Sequence, residues 1–376
     1  MKITSARLVP YSVPLSRPYS IARRRIDSVE LFYIEVQTDQ PGLYGLGAAS
    51  PAPGVTGEEP EACARALSQL DFLIGKDGRR FAALQAMAAE KLSATPAALA
   101  ACDMALWDLA GKALEQPVVD LLGDRIEPLP TSITIGIKSK EEMLEEAAEY
   151  LERGFTCLKV KIGDDYEADV RRLEALRRLV GEGVKIRVDA NQGYAIKSGD
   201  SGSGDSESGD SESGDRDVAG GLPTLIERFD LELVEQPFER GQESAMSILP
   251  ADLRRLLAAD ESLHGAADAL KIAGDHSHGI LNIKLMKCGG ISGAQRIAAI
   301  AEAGGLELMW GCMDESVVSI AAALHVAMAS PATRYLDLDG SFDLPSDLAT
   351  GGFELRGDRL HWLDRPGLGV EWADQA

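Results

Sequence analysis

The stretch TCLKVKIGDDYEADVRRLEALRRLVGEGVKIRVDAN, residues 156–191, decides the fold. It opens on a short apolar run, Cys157 to Lys161, that ends in charge. A helical pattern follows, and then a second run, Val184 to Asp189, that again ends in charge. Strand, helix and strand in that order form the repeating unit of a parallel α/β fold. The unit recurs on both sides. TSITIGI stands before it, and LELVEQPF, LLAADES, ILNIKLMKCGG, LELMWGCMDES and TRYLDLDG come after. Eight such runs, mostly followed by helical patterns, predict a (β/α)8 barrel over residues 129–345.

The flanks have a different texture. Residues 1–128 begin with strand-like alternation (ITSARLVPYSVPL, VELFYIEVQT), read as a loop at Gly45 to Ser50, and turn helical in EEPEACARALSQLDFLI and ALAACDMALWDLAGKAL. The tail, 346–376, returns to hairpin-like strands (GGFELRGDRLHWLDRPGLGVEW). The expected organisation is an α+β capping domain built from both flanks, with the barrel between them.

Spacing places one odd segment. From Lys161 to Asp189 is 28 residues, from Glu235 to Asp260 is 25, and from Asp260 to Lys284 is 24, but from Asp189 to Glu235 is 46. The surplus coincides with SGDSGSGDSESGDSESGD, 198–215, which contains no apolar side chain. Gly, Ser and acids cannot bury a core, and long surface insertions cost little closure entropy. Residues 197–216 are therefore expected to be a disordered acidic insertion that splits the third βα unit without a catalytic role.

Composition narrows the class. The 376 residues carry 38 basic and 60 acidic side chains, a net charge of −22, which argues against nucleic acid as a partner. Five scattered cysteines without a CxxC pair suggest reduced thiols in a cytoplasm. No signal-like segment opens the chain, and no run of about 20 apolar residues suits a membrane. The expected partners are a small-molecule substrate and further copies of the chain in a homo-oligomer.

Residues at the C-terminal ends of barrel strands face the active site. Here those ends carry Lys159, Lys161, Asp189, Glu235, Asp260, Lys284, Glu315, Asp337 and Asp339. One such charge is commonly a loop salt bridge, but nine together are too costly to bury without a ligand. Asp189, Glu235 and Asp260 end three consecutive strands and offer hard oxygen ligands suited to Mg2+. Lys159 and Lys161 alternate on one strand, so both ammonium groups point to the same side. Like charge and a nearby cation lower lysine proton affinity, which makes a base. Lys284 ends the strand across the barrel, and Lys287, one turn later, competes with it. A carbon held between Lys161 and Lys284 would lose a proton to one face and regain it from the other.

These motifs together (ALWDLAGKALEQPVVDLLG, LKVKIG, RVDANQ, VEQPF, AADES, NIKLMKCGG, GCMDES) resemble the enolase superfamily, and within it the muconate-lactonizing subgroup. The resemblance spans almost the whole chain. It implies that superfamily's modified TIM barrel and abstraction of a proton α to a carboxylate, to give an enediolate stabilised by Mg2+. It makes Asp189, Glu235 and Asp260 metal ligands, Lys161 and Lys284 the acid/base pair, and Lys159 an aid at the carboxylate.

Asp337-x-Asp339 looks like the DxD motif of dipeptide epimerases, which hold the substrate's α-ammonium there. The plain alternative is a pair of acids in a turn before Gly340. The motif implies a dipeptide epimerase that inverts the Cα of the C-terminal residue, with Thr134 as a hydrogen-bond donor to the substrate. Asp314, where related epimerases often carry an apolar residue, would receive a cationic side chain. Arg23, Arg24 and Arg25, in an early loop that caps the site in this family, would instead suit an acidic one, as in Ala-Glu epimerases, unless they simply form a solvated loop. Other subgroup reactions, namely o-succinylbenzoate synthase, N-acylamino acid racemase and cycloisomerase, leave Asp337 and Asp339 without an ammonium partner. A Schiff-base barrel leaves the carboxylate trio idle, and a degenerate barrel acting as a binding protein leaves every catalytic-type residue idle.

Overall fold

The computed structural model of the chain describes residues 1–21, 24–123, 126–194, 218–242, 246 and 249–374. The acidic insertion expected at 197–216 lies outside the described residues, as does Arg23. No helix among the described residues is long and apolar enough to cross a membrane.

The N-terminal segment forms a three-stranded antiparallel sheet of β1 (Ile3–Ile21), β2 (Arg24–Thr38) and β3 (Tyr44–Ala49). Two features differ from the sequence reading. Residues read as an early loop continue the β1–β2 ladder, with Tyr19 opposite Ile26 and Ser20 opposite Arg25. Pro14 and Pro18 break the alternation that would have revealed this, and the register shifts between Pro14 and Tyr19. Gly45 to Ala49, also read as loop, lies in β3. Its glycines are there for close approach, since a Cβ at Gly45 or Gly47 would overlap the carbonyl oxygens of Ala105 and Ala101. Those carbonyls belong to the helix Pro96–Leu114, which begins with proline in its first turn and packs on β3. The helix also packs on the short helix Leu285–Cys288 of the barrel, so its sequence is apolar on more than one face.

Eight parallel strands then follow in strict spatial order: β4 (Ile133–Ile135), β5 (Cys157–Lys161), β6 (Lys185–Asp189), β7 (Leu231–Glu235), β8 (Leu257–Ala259), β9 (Ile280–Ile283), β10 (Glu307–Gly311) and β11 (Thr333–Asp337). A bridge between Thr131 and Leu336 brings the first and last strands together. The buried Arg187 braces that seam, donating to Leu336 O at 2.6 Å and to Glu232 Oε2 at 2.7 Å. Register pairs Lys161 with Asp189 and Asp189 with Glu235, which sets these charged strand ends level.

The tail forms β12 (Ala349–Gly351), β13 (Phe353–Arg356), β14 (Arg359–Trp362) and β15 (Val370–Trp372). Trp372 donates its indole N–H to Glu35 Oε2 on β2. Buried Asp108 on the long helix accepts from Leu46 N of β3 and from Leu368 N of the tail, each at 2.8 Å. The tail thus lies against the N-terminal segment. The far end of β1 reaches the other way, onto the barrel: Ile137 N donates to Ser20 O at 2.9 Å, and Ser16 N to Asp343 O at 2.8 Å.

Candidate active site

Three consecutive strand ends bring Asp189, Glu235 and Asp260 together, each buried, with one oxygen apiece within 4.8 Å of the others. Asp189 accepts from Asn191 N at 2.9 Å, and Glu235 Oε1 from Asn282 Nδ2 at 2.8 Å. Glu235 Oε2 accepts no well-directed hydrogen bond, although Lys159 Nζ stands 2.8 Å away as an ion pair. Three buried carboxylates with an acceptor to spare are the donor set of a hard divalent cation, and they fit Mg2+.

Lysines surround the trio. Lys159 and Lys161 emerge on the same face of β5, and both reach Asp189 Oδ2, at 3.2 and 2.6 Å. Lys284, just past β9, donates to Asp260 Oδ2 at 2.8 Å. Lys287 takes the other side of Asp260, bonding Oδ1 and, at 2.5 Å, the main-chain carbonyl. Burial favours the neutral form of Asp189, yet Lys161 and Lys159 hold its pKa down at about 2. Asp260 is held well below the usual range, since Lys284 and Lys287 outweigh its burial. Glu235 moves the opposite way. Burial and the Asp189 charge push its pKa up, and Lys159, shared among three carboxylates, offsets them only in part. Burial alone would lower the Lys159 and Lys284 ammoniums, but the surrounding carboxylates hold both above their ordinary value.

Asp337 and Asp339 leave β11 toward the same cavity, which Tyr19, Thr134, Lys161 and Asp314 also line. Their environments differ. Asp337 is buried against Lys159 Nζ at 2.7 Å and Ser132 Oγ at 2.6 Å. Half-buried Asp339 accepts from Thr134 N at 2.7 Å, and burial together with Asp337 pushes its pKa up to about 7. Thr134 thus spends its backbone N–H on Asp339. Burial raises Asp314 to about 6, while Tyr19 O–H donates to its Oδ2 at 3.0 Å. Glu315 is buried and raised to about 7, and it accepts from Met313 N at 3.0 Å.

Arg25 is exposed and pairs with Asp27 at 2.9 Å, Arg24 is described by its backbone, and Arg23 lies outside the described residues. Sequence reasoning missed Tyr19, whose place depends on the hairpin hidden by the prolines. It also missed Asn282, which the two-residue alternation before Lys284 would have pointed inward.

Barrel, capping sheet and carboxylate trio together define an enolase-type domain architecture, and the family models match it. Residues 3–123 match the mandelate racemase / muconate lactonizing enzyme N-terminal domain, and residues 142–376 match the enolase C-terminal domain-like family. The chain belongs to the mandelate racemase / muconate lactonizing enzyme family. It is 48% identical to an L-Lys-D/L-Arg epimerase of Methylococcus capsulatus, over 100% of both chains. It is 44% identical to an L-Lys-D/L-Arg epimerase of Desulforapulum autotrophicum, over 99% of both. A crystal structure of a dipeptide epimerase from Methylococcus capsulatus, complexed with Mg and the dipeptide L-Arg-D-Lys, superposes with a TM-score of 0.91 at 48% identity, covering 99% of this chain and 100% of that one.

Proposed function

We propose that this chain is a Mg2+-dependent dipeptide epimerase, an isomerase that inverts the Cα of the C-terminal residue and prefers cationic dipeptides. The observation that carries the reading is one barrel mouth holding the carboxylate trio, Lys161 and Lys284 on opposite strands, and Asp339 with its raised pKa. Full-length relatives named for Lys and Arg dipeptides support it. The reading divides the work between a barrel, 129–345, that carries the chemistry and a capping domain, 1–128 completed by 346–376, that covers it.

Asp189, Glu235 and Asp260 would hold Mg2+, which when bound stabilises negative charge developing on a carboxylate and lowers the proton affinity of nearby ammoniums. Lys161 or Lys284, in its neutral form, takes the Cα proton, and the C–H electron pair delocalises into the carboxylate as an enediolate. The lysine opposite, as an ammonium, delivers a proton to the other face. One C–H bond breaks and one forms. Lys159 keeps positive charge beside the reacting carboxylate. Asp339 receives the α-ammonium, with Thr134 fixing the acid in place. Asp314 faces the cationic side chain.

An acidic side chain would meet the Asp314 carboxylate, and Arg17, which lines the same cavity, is paired with Glu149 at 2.5 Å; both count against an Ala-Glu preference. Substrates of the other subgroup reactions offer Asp339 no ammonium. A cytoplasmic location agrees with five free cysteines, and a homo-oligomer is part of the same reading. The test is incubation of a dipeptide library with enzyme and Mg2+ in D2O, read by mass. Deuterium should enter the C-terminal Cα of Lys- or Arg-containing dipeptides first. No labelling across the library would reject the epimerase.

A further inference from the structure

We propose that Tyr19 is a positioning residue for side-chain selectivity: its hydroxyl orients the Asp314 carboxylate toward the substrate's cationic side chain. The inference rests on the dipeptide reading above and deepens it. A strand of the capping sheet would then set the preference of a site whose chemistry lies in the barrel.

The geometry has three parts. First, Asp314 follows β10 and is pinned at both ends by the N-terminal segment. Ser50 Oγ donates to its main-chain carbonyl at 2.8 Å, and Tyr19 O–H to its Oδ2 at 3.0 Å. Second, Tyr19 is the one side chain among the described residues that donates to this carboxylate; the other donor is the backbone N–H of Asp314 itself, which leaves acceptor capacity for a ligand cation. Third, Tyr19 is itself fixed by docking. The neighbouring Ser20 carbonyl accepts from Ile137 N at 2.9 Å, and Gly136 provides the room, since a Cβ there would stand 2.8 Å from the Tyr19 Cβ.

The physical effect is twofold. A carboxylate clamped at one oxygen loses less rotamer freedom when a cation binds the other. A hydrogen bond to the ionised form also opposes the burial that favours the neutral acid. Without the hydroxyl, Asp314 would keep only its own backbone N–H as a donor, turn more freely and hold less charge, so a cationic side chain would lose most of its advantage over a neutral one of similar length.

The experiment measures kcat and KM for Ala-Lys and Ala-Met epimerisation in the wild type, Tyr19→Phe, Asp314→Asn and the double variant. Tyr19→Phe removes one oxygen, and its thermal midpoint reports folding. The Lys-over-Met ratio of kcat/KM should fall about tenfold in Tyr19→Phe, mostly through KM for the lysine substrate. In the Asp314→Asn background the same change should move the ratio by less than about twofold. Equal losses for both dipeptides, or an equal shift of the ratio without Asp314, would overturn the positioning role. A wild type that exchanges no Cα proton with any dipeptide rejects the epimerase itself, and this inference with it. That outcome is distinct from an active Tyr19→Phe with an unchanged ratio.

Discussion

Lys159 Nζ and Asp337 Oδ2 stand 2.7 Å apart, joining the second barrel strand to the eighth. With Ser132 Oγ also on Asp337 at 2.6 Å, this acid is already committed within the protein. The two members of Asp337-x-Asp339 therefore do different work. Asp337 holds Lys159 beside the carboxylate trio. Asp339, raised to about 7 by burial and by Asp337, would regain its charge when an ammonium arrives.

Substitution should separate these roles. Asp339→Asn should raise KM for dipeptides at least about tenfold, the worth of a charge-assisted hydrogen bond, and leave Mg2+ affinity within about twofold. Asp337→Asn should lower kcat and cost about 3 kcal/mol of stability, because it strips a buried ammonium of a partner. Calorimetric titration of each variant with Mg2+ and with dipeptide distinguishes the two. Equal loss of both ligands in Asp339→Asn would mean that Asp339 serves the metal centre and not the ammonium.

The barrel was legible because each strand repeats one pattern, an apolar run ending in charge, and the register then sets Lys161, Asp189 and Glu235 level. Strand-end position alone located every metal and lysine candidate. What the sequence hid was anything that depends on contact between distant segments. The ladder opposite Tyr19 is masked by Pro14 and Pro18, and β3 looks like a loop because its glycines serve the helix behind it. The opposite shifts of Glu235, raised by burial and by Asp189, and of Asp189, held down by Lys161 and Lys159, are likewise invisible before the strands are set side by side.

Metal-free protein should lose stability as pH rises from about 5 to 8. Glu315 and Asp314, raised to about 7 and about 6, keep protons in the folded state that the unfolded chain has released, so their contribution fades through that window. Glu315 alone accounts for on the order of 2 kcal/mol. Asp189 and Asp260 run the other way: they stabilise above the ordinary carboxyl range, and that stability is lost as pH falls toward 2. Thermal midpoints at intervals of one pH unit check this. A flat profile between pH 5 and 8 would contradict the raised acids.

Chelation should abolish Cα exchange, and restoring Mg2+ at about a hundredfold its Kd should stabilise the protein by about 2.7 kcal/mol. Asp189→Asn or Glu235→Gln should erase that Mg2+-dependent rise in thermal midpoint. The rise is measured without substrate, so it reports on the trio independently of catalysis. If it survived in both variants, the ion would bind elsewhere.

The two lysines beyond β9 should part company on substitution. Lys287 spends its ammonium on Asp260 Oδ1 and the Asp260 carbonyl, so its protons are committed to holding Asp260. Among the described residues Lys284 makes one hydrogen bond, to Asp260 Oδ2, which a bound cation would compete for. A proton carrier must give up its own partner during the cycle, and Lys284 is the one arranged to do so. Lys287→Met should weaken Mg2+ binding and cost about 3 kcal/mol of stability. Lys284→Met should bind Mg2+ and dipeptide yet slow epimerisation by about a hundredfold or more. With Lys161 intact, that variant should still wash deuterium into one Cα configuration of the substrate in D2O, without inverting it. Full inversion in Lys284→Met, or retained exchange of both configurations, would move the second proton carrier to Lys287.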